Sequence, residues 1–139
     1  MIGIIVAGHA GLASEMLDVI AQIESPQRNM TAVDYRAGET PDIFLKNFNS
    51  AVEQLEADSE GILIFTDSAR GTPYKTAVKF SEVCDDFPVI VITGFNLPGL
   101  VETAMARMYL KDVEMLADLA VEHGKKQVMR YGGAQKVRF

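Results

Sequence analysis

Three uninterrupted apolar runs, Ile2-Gly3-Ile4-Ile5-Val6-Ala7-Gly8, Gly61-Ile62-Leu63-Ile64-Phe65-Thr66 and Pro88-Val89-Ile90-Val91-Ile92-Thr93, limit the possible folds of this chain more than any other feature. Each has strand length and none alternates polar with apolar residues, so a strand made from it must bury both of its faces. Helices packed on both sides of a parallel sheet supply that burial. The intervening segments carry the matching helix signals. An amphipathic stretch over about 12–24 stops at Ser25-Pro26-Gln27, and Met30-Thr31-Ala32-Val33-Asp34-Tyr35 alternates as a further strand. After a turn at Gly38, Thr40-Pro41 starts a helix carrying Ile43, Phe44, Phe48, Val52 and Leu55 at helical spacing. Pro73 starts another that runs through Val83, and two more, over about 99–109 and 112–123, are expected to end at Gly124. The expected fold is α/β, with a mostly parallel sheet of about four strands flanked by helices on both faces.

The end of the chain has a different character. Gln127-Val128-Met129-Arg130-Tyr131 alternates weakly, and beyond Gly132-Gly133 residues 135–139 read as a segment pairing back in a hairpin. An additional antiparallel C-terminal strand is therefore expected, either at the edge of its own sheet or on that of a neighbouring chain.

Composition narrows the function classes. At 139 residues and 48% hydrophobic, residues 1–139 read as a single domain with one sizeable core. No apolar stretch reaches the roughly 18 residues of a membrane span, and the first run lacks the length and basic lead of a signal peptide, so a cytoplasmic protein is expected. The single cysteine, Cys84, rules out an internal disulfide and reads as a small buried hydrophobe. The net charge of -6 is uneven. Lys125, Lys126, Arg130, Lys136 and Arg138 lie in a tail without acids, leaving eight basic against nineteen acidic side chains before them. Such a body repels nucleic acid, and the basic tail reads as a solvated strand face.

His9 ends the first apolar run and is followed at once by Ala10-Gly11-Leu12-Ala13-Ser14-Glu15-Met16-Leu17, a loop opening into a helix. A strand-to-helix exit in an open α/β sheet lies at the carboxyl edge, where these folds bind ligands. An imidazole there either faces a ligand or satisfies a loop hydrogen bond, and position alone does not choose. Two more exits carry polar residues: Asp67-Ser68-Ala69-Arg70-Gly71-Thr72-Pro73 after the third strand and Gly94-Phe95-Asn96-Leu97-Pro98 after the fourth. The three are expected to converge on one crevice. Asp67 can accept a hydrogen bond from one ring nitrogen of His9 and leave the other as an oriented nucleophile, which suits phosphoryl handling. The amides that start the helix after Thr72, with the hydroxyls of Ser68 and Thr72, offer donors to a phosphoryl dianion. Taken singly, Ser68 and Thr72 read as helix caps and Asp67 as a turn residue; together with His9 they read as a site.

Three segments in this order, His9 to Ala13, Asp67 to Pro73 and Gly94 to Glu102, resemble the IIA component of the mannose/fructose/sorbose family of the bacterial phosphoenolpyruvate-dependent sugar phosphotransferase system. The resemblance covers essentially the whole chain. It implies that His9 is phosphorylated, that Asp67 orients it, and that Ser68, Gly71 and Thr72 surround the phosphoryl group. Arg70 and Asn96 become candidate contacts to that group or to a partner. It implies the general phosphocarrier protein as donor, the IIB component as acceptor, the membrane IIC/IID permease as an indirect associate, and a homodimer in which a late strand pairs with the other subunit's sheet. The chain departs from the family pattern at Ala10, where glycine usually follows the histidine, at Arg70, which replaces the first of two glycines, and at Thr72, which stands for serine. Neither a cofactor nor a metal is implied: no His, Cys or carboxylate cluster has ligand spacing, and no Gly-Lys-Ser/Thr phosphate loop occurs.

Two other function classes compete. A receiver-like regulatory domain would accept phosphate on Asp67, but it needs an acidic magnesium pocket where the first strand offers His9. A noncatalytic regulatory module would use His9 and Asp67 only as a structural pair. His123, in Glu122-His123-Gly124 at a helix end, reads as a partner for exposed carbonyls, and the seven methionines read as packing.

Overall fold

Each apolar run forms a strand whose successive side chains enter two different cores, which is why the runs show no alternation. In the computed structural model, which describes residues 1–56 and 60–134, the strands are β1 (Gly3–His9), β2 (Met30–Tyr35), β3 (Ile62–Thr66) and β4 (Val89–Thr93). The helices are α1 (Leu12–Ile23), α2 (Pro41–Gln54), α3 (Thr72–Val83), α4 (Leu97–Ala106) and α5 (Val113–Lys126). Ile4 and Val6 of β1 join Leu63 and Phe65 of β3 in a core closed by Ile20, Leu100 and Leu116 of α1, α4 and α5. The intervening Ile5, Ala7, Ile62 and Ile64 meet Phe44 and Phe48 of α2 and Ala77 of α3 on the opposite face. A fully buried Ile or Phe contributes about 1.5–3 kcal/mol, so these two central strands and the helices across them supply most of the stabilisation.

The sheet is parallel throughout, in the order β2-β1-β3-β4. The chain moves outward from β1 to β2 through α1, then crosses back over β1 to β3 through α2. That reversal lies between β1 and β3, and the crevice at their carboxyl ends is where such sheets take ligands. At the opposite edge the buried guanidinium of Arg107 closes the end of α4. It donates to the carbonyls of Ile2 and Asn29, each at 2.9 Å, and to that of Arg28. Burial lowers its pKa from the usual guanidinium range to about 10, which leaves it charged at neutral pH and in need of those carbonyl oxygens. No helix among the described residues is long and apolar enough to cross a membrane.

The structure differs from the sequence reading in two places. Gly124 does not end the last helix, which continues to Lys126. Its small size is used sideways instead: a Cβ on Gly99 would lie 3.2 Å from the Gly124 Cα, so the pair lets α4 and α5 approach closely. Residues 127–131 form no strand in the single chain, and Val128, Met129 and Tyr131 are exposed. A short strand without a ladder partner gains too little to hold an extended form. The second arm of the expected hairpin, 135–139, lies outside the described residues.

Candidate functional site

β1 and β3 deliver His9 and Asp67 to the two sides of the crevice. Glycine at position 8 permits the approach, since a Cβ there would lie 3.3 Å from the Asp67 carboxyl carbon. The carboxylate takes hold of His9 twice. Its Oδ2 accepts the His9 main-chain N–H at 2.9 Å and lies 3.0 Å from the ring Nδ1, while Oδ1 lies 3.3 Å from the same nitrogen. An ionised carboxylate only accepts, so in the neutral ring this pairing favours the proton on Nδ1 and the lone pair on Nε2. The side chain of Asp67 is 14% exposed and that of His9 is 48% exposed, so the anchor is sheltered and the ring remains open to a partner.

The Nε2 side of the ring meets Gly71. This residue has φ 91° and ψ -176°, a region open essentially to glycine alone, and a Cβ there would lie 2.9 Å from Nε2. Gly71 is also the residue that precedes α3, whose start carries no side-chain cap. Neither Ser68 nor Thr72 is thus a helix cap. The Ser68 hydroxyl accepts the Arg70 N–H at 3.1 Å and closes the turn, keeping its own proton to donate. Thr72 is half-buried at the first position of α3, and Arg70 is exposed on the turn. Pro73 has no N–H, so the main-chain donors of this helix start are those flanking it.

The carboxyl edge does not gather all the expected residues. Asn96 accepts the Gly99 N–H at 3.0 Å as the N-cap of α4 and donates to the Gly124 carbonyl at 2.8 Å. Both ends of its amide are committed to joining α4 and α5. His123 lies in the last turn of α5 with Nε2 3.3 Å from the Gln127 amide nitrogen. Among the described residues no group of three or more His, Cys, Asp or Glu side chains is arranged to hold a metal ion.

The exit of β2 takes the place that the sequence reading gave to β4. β2 is the other neighbour of β1, and its last residues surround the histidine loop. The Tyr35 ring meets His9 edge-on at a centroid distance of 5.9 Å, and its carbonyl accepts the Ala10 N–H at 2.8 Å. Ala10 takes a left-handed φ of 52°, the conformation that glycine adopts more cheaply, at a cost of about 1 kcal/mol. The departure from glycine therefore leaves this loop path available. Asp34 and Arg36 complete the exit. Their place was open to inference from the polar residues at the end of the second strand and just beyond it, once that strand is set beside the first.

Fold and geometry together define an open-sheet α/β protein with a carboxylate-held, solvent-facing histidine at its topological switch point. Residues 3–121 match the family model described as PTS system fructose IIA component, and the chain belongs to that family of the sugar phosphotransferase system. It is 31% identical over 127 residues to the PTS system mannose-specific EIIAB component of Escherichia coli strain K12, an alignment covering 91% of this chain and 38% of the relative. The chain thus spans well under half the length of that relative. The fold is shared with phosphotransferase system component EIIA of Streptococcus agalactiae, at a TM-score of 0.85 and 24% identity, covering 94% of this chain and 97% of that one. It is shared also with the mannose/sorbose-specific IIA subunit of Enterococcus faecalis, at a TM-score of 0.81 and 20% identity, covering 98% of each.

The close approach at Gly71 yields a direct test. Gly71→Ala combines a Gly-only backbone with a clash against Nε2, so it should lower the unfolding free energy by about 1–3 kcal/mol and displace the imidazole. Urea unfolding and the His9 ring resonances report the two effects. Unchanged values of both would contradict the described contact.

Proposed function

We propose that this chain is a phosphohistidine carrier of a sugar phosphotransferase system, with His9 as acceptor. The observation that carries the reading is the two-point hold of Asp67 on the main chain and Nδ1 of His9, which leaves Nε2 as the free nucleophile facing the start of α3. In the proposed step the Nε2 lone pair attacks phosphorus and the bond from phosphorus to the donor atom breaks. The ring becomes positively charged as its new bond forms, and the Asp67 carboxylate stabilises that charge while Nδ1 keeps its proton. The Gly71 turn, the Ser68 and Thr72 hydroxyls and the start of α3 receive the phosphoryl oxygens, and Arg70 on the same turn adds a cation. A receiver-like use of Asp67 is less well supported, because its oxygens are already engaged by His9.

By family membership, the donor in this proposal is the general phosphocarrier protein and the acceptor is the IIB component, with the membrane IIC/IID permease engaged indirectly from the cytoplasm. Residues 1–139 act as one IIA domain, without cofactor. Purified variants incubated with phosphocarrier, its kinase and phosphoenolpyruvate test the assignment. His9→Ala should accept no phosphoryl group. Asp67→Asn should accept it at least tenfold more slowly, about 1.4 kcal/mol of barrier. Full labelling of the His9 variant would sink the proposal.

We also propose a homodimer completed by the C-terminal segment. β4 has no further strand paired to its outer side among the described residues, and its residues are only half-buried. The apolar Val128, Met129 and Tyr131 lie exposed just beyond α5. Pairing of this segment with the sheet of a second subunit would cover both features. Deleting residues 128–139 leaves α5 whole and should give monomers or aggregates in light scattering; an unchanged dimer would move the interface elsewhere.

A further inference from the structure

We propose that Asp34 is a positioning residue for His9, acting through the loop that joins β1 to α1. The inference rests on the reading of His9 as phosphoryl acceptor and adds a residue from β2, the strand that flanks β1 on the side opposite β3. Gly11, which precedes α1, has no side chain with which to cap the helix. Asp34 supplies the cap from the neighbouring strand: Oδ1 accepts the Ser14 N–H at 3.0 Å and Oδ2 accepts the Ser14 hydroxyl at 2.5 Å. Oδ2 also accepts from the Arg36 guanidinium at 2.9 Å, and that guanidinium packs against Gly11, where a Cβ would come within 3.0 Å of Nη1. One carboxylate thereby holds the α1 end of the turn that begins at His9, while the Tyr35 carbonyl next to it in sequence accepts the Ala10 N–H at the other end.

The clamp is itself braced. The Arg36 main-chain N–H donates to Glu39 at 2.6 Å, and the other Glu39 oxygen accepts from Asn47 of α2 at 3.2 Å. Asp34 is only 11% exposed whereas Arg36 is 60% exposed, so the ion pair is partly solvated and the Ser14 bonds carry the geometry. Position matters because the Gly71 contact leaves the ring little freedom: a loop shift on the β2 side rotates Nε2 away from the α3 start or loosens Nδ1 from Asp67. Small misplacements of a nucleophile are costly in rate even where binding is intact.

The test compares Asp34→Ala, Asp34→Asn and Ser14→Ala in single-turnover phosphoryl acceptance, with the ¹⁵N shifts of the His9 ring as a second readout. Asp34→Ala should slow acceptance at saturating phosphocarrier at least tenfold, leave the KM for phosphocarrier unchanged, and move the ring shifts toward an even tautomer mixture. Asp34→Asn keeps an oxygen for the Ser14 N–H and should restore most of the rate and the wild-type shifts. Should Asp34→Ala not fold, Ser14→Ala, which loses only the hydroxyl, carries the test with a fall of about threefold. A wild-type rate and wild-type shifts in the folded alanine variants would overturn the proposal, as would an Asp34→Asn variant no better than Asp34→Ala. If the wild-type chain accepts no phosphoryl group, the carrier function fails, while the ring shifts still decide the positioning role.

Discussion

Burial of both faces of β1 and β3 is the constraint from which the rest of the structure follows. Apolar side chains on both sides of these strands require a helical layer above and below, and right-handed crossovers then put α1 and α2 on opposite sides of the sheet. The chain must reverse direction between the two central strands to build both layers. The reversal opens a crevice at their carboxyl ends, so the packing that makes the core also makes the site. His9 and Asp67 face each other because β1 and β3 are paired in register up to Ala7 and Thr66.

Within that crevice the division of labour follows from burial. The sheltered Asp67 holds the imidazole through main chain and ring, while the other side of the ring stays exposed. Gly8 and Gly71 serve the same end, each lacking the carbon that would intrude on the pair. The β2 exit lies beside the pair, with the Tyr35 ring edge-on to His9 and Asp34 bonded to Ser14 at the start of α1.

Much of this was legible in the sequence. Continuous apolar runs specified a sheet buried on both faces, and the polar residues following the first and third runs include the two, His9 and Asp67, that the structure brings together. Strand order was not legible, because hydrophobic pattern records which faces are buried and not which strands are neighbours. Asn96 was consequently grouped with the site although it joins α4 to α5, and Asp34 and Arg36 were passed over although β2 adjoins β1. Gly124 read as a helix stop because a glycine near the end of a helical pattern signals a C-cap, whereas here it permits close packing against Gly99. The C-terminal alternation reads as a strand pattern, yet residues 127–131 form no strand in the single chain.

The most direct test is to identify the atom that carries the phosphoryl group, by ³¹P–¹⁵N correlation on protein labelled with ¹⁵N in its histidine rings and phosphorylated from phosphoenolpyruvate through the phosphocarrier. The hold of Asp67 on Nδ1 predicts a single phosphorus coupled to Nε2 of His9. Coupling to Nδ1, or a phosphorus carried on the Asp67 carboxylate with no nitrogen partner, would contradict it.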